Sequence, residues 1–288
     1  MSVNPNRVEL AWAITLKEAA QQVDSRVDAS LISDWEYLQS AIVVKGDTAK
    51  ALQRLRHLQA FKRQYGIIRD GSVEEAARDL RTFLQTHPGL YLSLADAVEE
   101  AANEETNVGN CSSPATKLVG TQVFCSEYQY FQVGRMTSEE AYSIYMRAAF
   151  YTLQASQYNL PSLRAGLLLL MDVHGALKYR SFKTEARARE LYGKAYPIRI
   201  QGVVLLRSGR LLRIAYKWLI RPLLSRKVKD TLTMPIDPKD EQDFLASCGV
   251  PKSTLPTSWG GDMPVDGFHE IILGRLRQRY HMEETFRL

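Results

Sequence analysis

Eight cations, Arg207, Arg210, Arg213, Lys217, Arg221, Arg226, Lys227 and Lys229, fall between Leu205 and Asp230, and Asp230 is the single acid among them. That stretch carries +7 in a chain whose formal total is +5, so the remainder sums to −2. Guanidinium and ammonium groups concentrated in this way pair with phosphate or carboxylate anions. Because the charge is local, it points to one docking surface for an anionic partner and not to a generally adhesive protein. Apolar Leu219, Ile220, Leu223 and Leu224 are set among the same charges, so the chemistry combines ion pairing with burial of grease.

Other chemistry is poorly supplied. The five histidines, His57, His87, His174, His269 and His281, have no metal-ligand spacing. No serine stands in a G-x-S-x-G turn. Cys111, Cys125 and Cys248 are odd in number and lack any C-x-x-C pair, which argues against a disulfide framework or a zinc site and fits a reducing cytosol. Asp172-Val173-His174-Gly175 is similar to the acidic turn of a nucleotide-binding protein, but the phosphate cradle G-x-x-x-x-G-K-[ST] is missing, and Gly193-Lys194 has no partner glycine at the required spacing. Asp172 is therefore expected to hydrogen-bond the turn that closes a buried strand. No catalytic residue, cofactor or metal is expected, and the protein is read as a non-enzyme.

The basic segment must be positioned by a helix. At about 100° per residue, Arg210, Arg213, Lys217 and Arg221 fall within about 80° of arc, while Trp218, Leu211, Ala215, Leu219 and Leu212 follow on another face. Two readings fit: a surface helix with its apolar side on the core, or a helix lying at a lipid headgroup layer. Nucleic acid is not expected, because no aromatic residues alternate with the basic ones and no helix-turn-helix spacing precedes them.

The 288 residues, 45% of them apolar, suffice for a substantial core. From Val8 to about Leu94 the apolar period is helical, as at Ala51, Leu52, Leu55, Leu58 and Phe61, and four or five helices without a strand are expected. Breaks fall at Lys45-Gly46-Asp47, Tyr65-Gly66, Asp70-Gly71-Ser72 and His87-Pro88-Gly89. Residues 96–115 form an acidic helix and linker. The period then changes: a strand over Val119–Phe131, a helix capped at Thr137-Ser138-Glu139-Glu140 and running to about Gln157, a doubly apolar strand over Gly166–Val173, a helix over Lys183–Ala195 and a strand over Ile198–Leu206. This alternation predicts an α/β layer with a mostly parallel sheet. No signal-peptide layout opens the chain, and the longest apolar run, Ala165–Met171, falls far below the roughly 20 residues of a membrane-spanning helix.

Four motifs in order carry a resemblance. They are WEYLQSAIVVKGDTAKALQRLRHLQAFKRQYGI (35–67), RAGLLLLMDVHG (164–175), YPIRIQGVVLLRSGRLLRIAYKWLIRPLLSRKVKDTL (196–232) and LPTSWGG (255–261). Together they resemble the CRAL-TRIO lipid-binding family, whose members carry retinoids, tocopherols or phosphatidylinositol. The resemblance implies an N-terminal helical module over residues 1–95, the acidic helix and linker over 96–115, and an α/β domain over 116–288 whose sheet floors a lipid pocket under a mobile lid helix. It implies Met146, Ala149, Leu153, Leu167, Leu169, Met171, Leu191, Tyr192 and Ile198 as pocket lining, and Leu211, Ala215, Trp218 and Leu219 as the inner face of the lid. Membrane or phosphate docking falls to Arg199, Arg207, Arg210, Arg213, Lys217, Arg221 and Lys227. Gln201 and Thr231 stand where the family's phosphoinositide-binding pattern has further basic residues.

The expected partners are thus a hydrophobic small molecule and an anionic membrane surface, with a monomeric, cytoplasmic protein that associates transiently with membranes. A non-transporting scaffold or phosphoinositide sensor, binding a protein partner through the same fold, is the alternative. A tail of about 15 methylenes exposes roughly 12 kcal/mol of transfer free energy in water, so a carrier must enclose it. About 1 kcal/mol per Lys or Arg at an anionic surface docks such a carrier reversibly.

Overall fold

The computed structural model describes residues 4–23, 27–67, 73–86, 90–91, 122–127, 138–174, 186–187, 190–216, 232–234, 241, 245, 250, 252, 255–262 and 265–288. Helices α1 (Arg7–Val23), α2 (Asp34–Val43), α3 (Thr48–Tyr65) and α4 (Val73–Thr86) come first. Strands β1 (Leu90–Tyr91) and β2 (Gln122–Glu127), helices α5 (Glu139–Ser156) and α6 (Leu160–Ala165), strands β3 (Leu167–Asp172) and β4 (Ile200–Leu206), helix α7 (Arg210–Ala215), strand β5 (Leu232–Thr233) and helix α8 (Val265–Thr285) follow.

Local chemistry explains where the helices start. Ser33 and Glu36 form a capping box at α2: Ser33 Oγ accepts from the Glu36 N–H at 3.2 Å and Glu36 Oε2 accepts from the Ser33 N–H at 2.9 Å. Asp47 caps α3 by accepting from the Lys50 N–H at 3.0 Å, Ser138 caps α5 from Ala141 at 3.1 Å, and Asn159 caps α6 from Ser162 at 2.9 Å.

The strands lie in the order β1-β2-β3-β4-β5, with β1 antiparallel to β2 and the rest parallel. The chain is thus a mixed helix-and-sheet protein with a small parallel sheet. Leu169 is in register with Val203, Leu170 with Val204 and Met171 with Leu205. Gly166 admits this pairing: its φ is +90° and an added Cβ would stand 2.4 Å from Arg199 O, so a side chain there would push β3 off β4.

A single hydrophobic cluster runs from Leu16, Trp35, Leu55 and Phe61 of the N-terminal helices to Phe150, Leu167, Ile198 and Leu276. The Phe150 ring lies 5.9 Å from Phe61 and 5.4 Å from Tyr196. Ion pairs cross the same junction, Arg164 to Glu9 at 2.6 Å and Arg147 to Asp79 at 2.5 Å. The described N-terminal helices therefore share one core with α5, α6, the start of β3 and α8.

Two expectations need correction. The stretch to Leu94 does contain a strand, β1, whose two residues are too few to show a period and become extended by pairing with β2. The end of the helix expected over Lys183–Ala195 is a π-helical turn, Leu191–Ala195. Residues 96–115 lie outside the described residues. Among those described, no helix is long and apolar enough to cross a membrane.

Candidate functional site: the open face of the sheet and its carboxyl edge

Alternation along β3 and β4 gives the sheet two unlike faces. Leu168, Leu170 and Asp172, with Val204 and Leu206 beside them, are buried. On the other face Leu169, Met171, Val203 and Leu205 are only half-buried, although all four are apolar. Near the amino end Leu167 joins the main cluster, with Leu169 and Ile200 packed at its margin. Met171, Val203 and Leu205 continue the same face beyond it.

The nine pocket candidates divide accordingly. Met146, Ala149, Leu153, Leu167, Leu191 and Ile198 are buried members of the main cluster, and Leu169 and Tyr192 pack against its edge. Met171 lies furthest along the half-open face. Val203 and Leu205 belong with it but were not among the candidates. Their signal was present in the alternation of β4, which needed only the register with Leu169 and Met171 to become a face.

At the carboxyl edge the buried Asp172 closes the turn after β3 as expected, its Oδ1 accepting from the His174 N–H at 2.8 Å. Its second oxygen accepts from Arg207 Nη2. The Arg207 N–H donates to Glu241 Oε1 at 2.7 Å, so one residue is gripped by two carboxylates. Burial pushes the Glu241 carboxyl up, against the hydrogen bond from Arg207 and the charge of Arg213. Arg207 has φ +50°, a left-handed conformation that costs a side-chain-bearing residue about 1–2 kcal/mol and persists where surroundings over-determine it.

Arg207, expected as a docking residue, pairs with the buried Asp172 while its side chain stays 36% exposed. The sequence showed its charge but not the buried acid 35 residues earlier. The expectation for Leu211 needs correction. Expected on the inner face of a lid, it is 83% exposed, and Ile214 is 48% exposed. Arg213 is half-buried and Tyr216 Oη donates to Leu232 O at 3.3 Å, so this side of α7 turns inward and Leu211 and Ile214 turn out beside the exposed Arg210.

Among the described docking candidates, Arg199 stands apart from the others. Arg199 precedes β4 and Arg207 follows it, about 26 Å apart at roughly 3.3 Å per strand residue. The side chain of Ala215 and residues Lys217, Trp218, Leu219, Arg221, Lys227 and Thr231 lie outside the described residues. Gln201 is engaged with the fold: its Nε2 donates to Ala165 O at 2.5 Å.

LPTSWGG forms a self-contained turn. The N–H groups of Trp259 and Gly261 both donate to Pro256 O, at 2.8 and 3.0 Å, and Gly260 has φ +77°. A Cβ on Gly261 would stand 2.1 Å from Leu255 O, which explains both glycines sterically. Compared with known proteins, the sequence matches no family model and no curated protein.

Proposed function

We propose that the protein carries a hydrophobic small molecule, a retinoid, carotenoid, tocopherol, sterol or phospholipid, in a pocket floored by β3 and β4, and exchanges it at anionic membranes in the manner of the CRAL-TRIO family. One observation carries the reading: Leu169, Met171, Val203 and Leu205 form an apolar face left half-buried, while the opposite face of the same strands is closed. Apolar surface left in water costs about 25 cal/mol per Å², and an apolar guest seated there recovers that free energy. The helix that follows β4 adds support, since it turns Leu211 and Ile214 outward beside Arg210. Such a surface suits acyl chains under an anionic headgroup layer. No catalytic step or cofactor enters the proposal. The carrier is taken to be a cytoplasmic monomer that touches membranes transiently.

Solvent extraction of protein purified from its native source, followed by mass spectrometry, tests this. One defined apolar molecule at near stoichiometric amount is expected. Protein that arrives empty and takes up no labelled lipid from anionic vesicles overturns it. The tight burial of Met146, Ala149, Leu153, Leu167, Leu191 and Ile198 favours a second reading, a scaffold or phosphoinositide sensor with little room for cargo, and that negative result is what it predicts.

A further inference from the structure

We infer that Arg54, on helix α3, is the centre of a binding site for a phosphate group, with His57 and Lys50 as its further donors. Three other cations of the same helix, Lys50, Lys62 and Arg63, each meet an acid: Asp47 at 2.6 Å, Glu36 at 2.6 Å and Asp28 at 3.1 Å. Arg54 is placed differently. It is half-buried, and its Nη1 is shut off from water with no hydrogen-bond partner. Burial pushes the guanidinium below its usual pKa, and no acid acts against that. A guanidinium nonetheless stays charged in a protein. An N–H withdrawn from water without an acceptor destabilises the fold, and an arriving anion removes that penalty.

The neighbours on the helix select the anion. At about 100° per residue Lys50, Arg54 and His57 fall within about 60° of arc, and α3 itself contains no acid. Its N-cap Asp47 stands at the edge of that side, and its carboxylate is taken up by the Lys50 ammonium at 2.6 Å and the Lys50 N–H at 3.0 Å. A carboxylate has two oxygens, which the planar fork of one guanidinium satisfies. A phosphate adds a third oxygen and a second negative charge. For these the half-buried His57, three residues on, and Lys50, four residues before, are the donors. The site shares no residue with the basic stretch that follows β4, so it goes beyond the membrane docking assigned to Arg210.

Inorganic phosphate titrated into the full chain at constant ionic strength, with N–H resonances as the readout, tests the site without lipid, so its outcome is independent of the carrier reading. A saturable shift of the Arg54 side-chain N–H and of the amides over residues 50–58 is expected. Arg54→Gln should weaken phosphate binding about tenfold or more, the worth of one charge-assisted hydrogen bond, and Arg210→Glu should leave it unchanged. Arg54→Lys, which keeps the charge but loses the fork, should fall between and serves if Arg54→Gln folds poorly. Sedimentation with phosphatidylcholine vesicles, with and without phosphatidylinositol 4-phosphate, identifies the source of the phosphate. Loss of the added binding in Arg54→Gln assigns the site to a lipid headgroup, and equal sedimentation of wild type and variant assigns it to a soluble phosphate ester. Phosphate shifts that do not saturate, that spare Arg54, or that keep wild-type affinity in both Arg54 variants overturn the inference.

Discussion

Arg279 Nη2 donates to Gln39 Oε1 at 2.9 Å across 240 residues of chain. The guanidinium is fully buried; it also donates from Nη1 to Gln157 O at 3.2 Å and from Nε to Glu283 Oε1 at 2.8 Å, with the Trp35 ring 5.2 Å away. One cation thus ties α8, α5 and α2 together. Removing it strands a buried amide and a carboxylate, so Arg279→Ala should cost about 3–5 kcal/mol, read from the urea midpoint. The exposed Arg287→Ala should stay within about 0.5 kcal/mol.

The pair Glu9 and Arg164 gives a pH signature. The hydrogen bond from Arg164 holds the Glu9 carboxyl below its usual 4.5, outweighing burial. A carboxylate lowered in the folded state stabilises fully above its unfolded value and loses that contribution as pH falls through its folded value. The stability gap between wild type and Glu9→Gln should be full at pH 7 and shrink steadily below 4.5. A gap constant down to acid unfolding would contradict the assignment.

Filling the half-open face should remove cargo without unfolding the protein. Met171→Trp adds bulk at a half-buried position outside the main cluster, so the melting midpoint should move by less than about 1 kcal/mol equivalent while bound lipid disappears from the extract. A cost in the overpacking range of about 1–3 kcal/mol would mean the space was already filled.

Vesicle binding should depend on the outward side of α7. Leu211→Ser combined with Ile214→Ser should weaken sedimentation with anionic vesicles about tenfold or more, since burying each side chain is worth roughly 1.5–3 kcal/mol. Arg210→Glu should weaken it as well, and Arg199→Glu, at the other end of β4, should leave it unchanged. Equal loss from Arg199→Glu would mean that docking uses another surface.

The closing turn offers a steric check. Gly261→Ala places a methyl against Leu255 O and should lower stability by about 1–3 kcal/mol in a thermal melt, whereas Gly193→Ala, with open space around its Cβ, should not lower it.

Sequence alone determined what is local. Ser138 announces a helix start because its cap is satisfied within three residues, and apolar runs announce β3 and β4. The glycines of LPTSWGG announce a tight turn because only they fit its backbone. Tertiary structure decided what depends on partners remote along the chain. A helical wheel separates the two sides of α7 but cannot say which meets the sheet; the reach of Tyr216 to Leu232 O decides it. The charge of Arg207 was plain in the sequence, yet whether it faces an outside anion or Asp172 depends on a strand pairing between residues 35 apart. Charge and apolarity are properties of a residue, whereas burial and pairing belong to the space that the whole fold assigns to it.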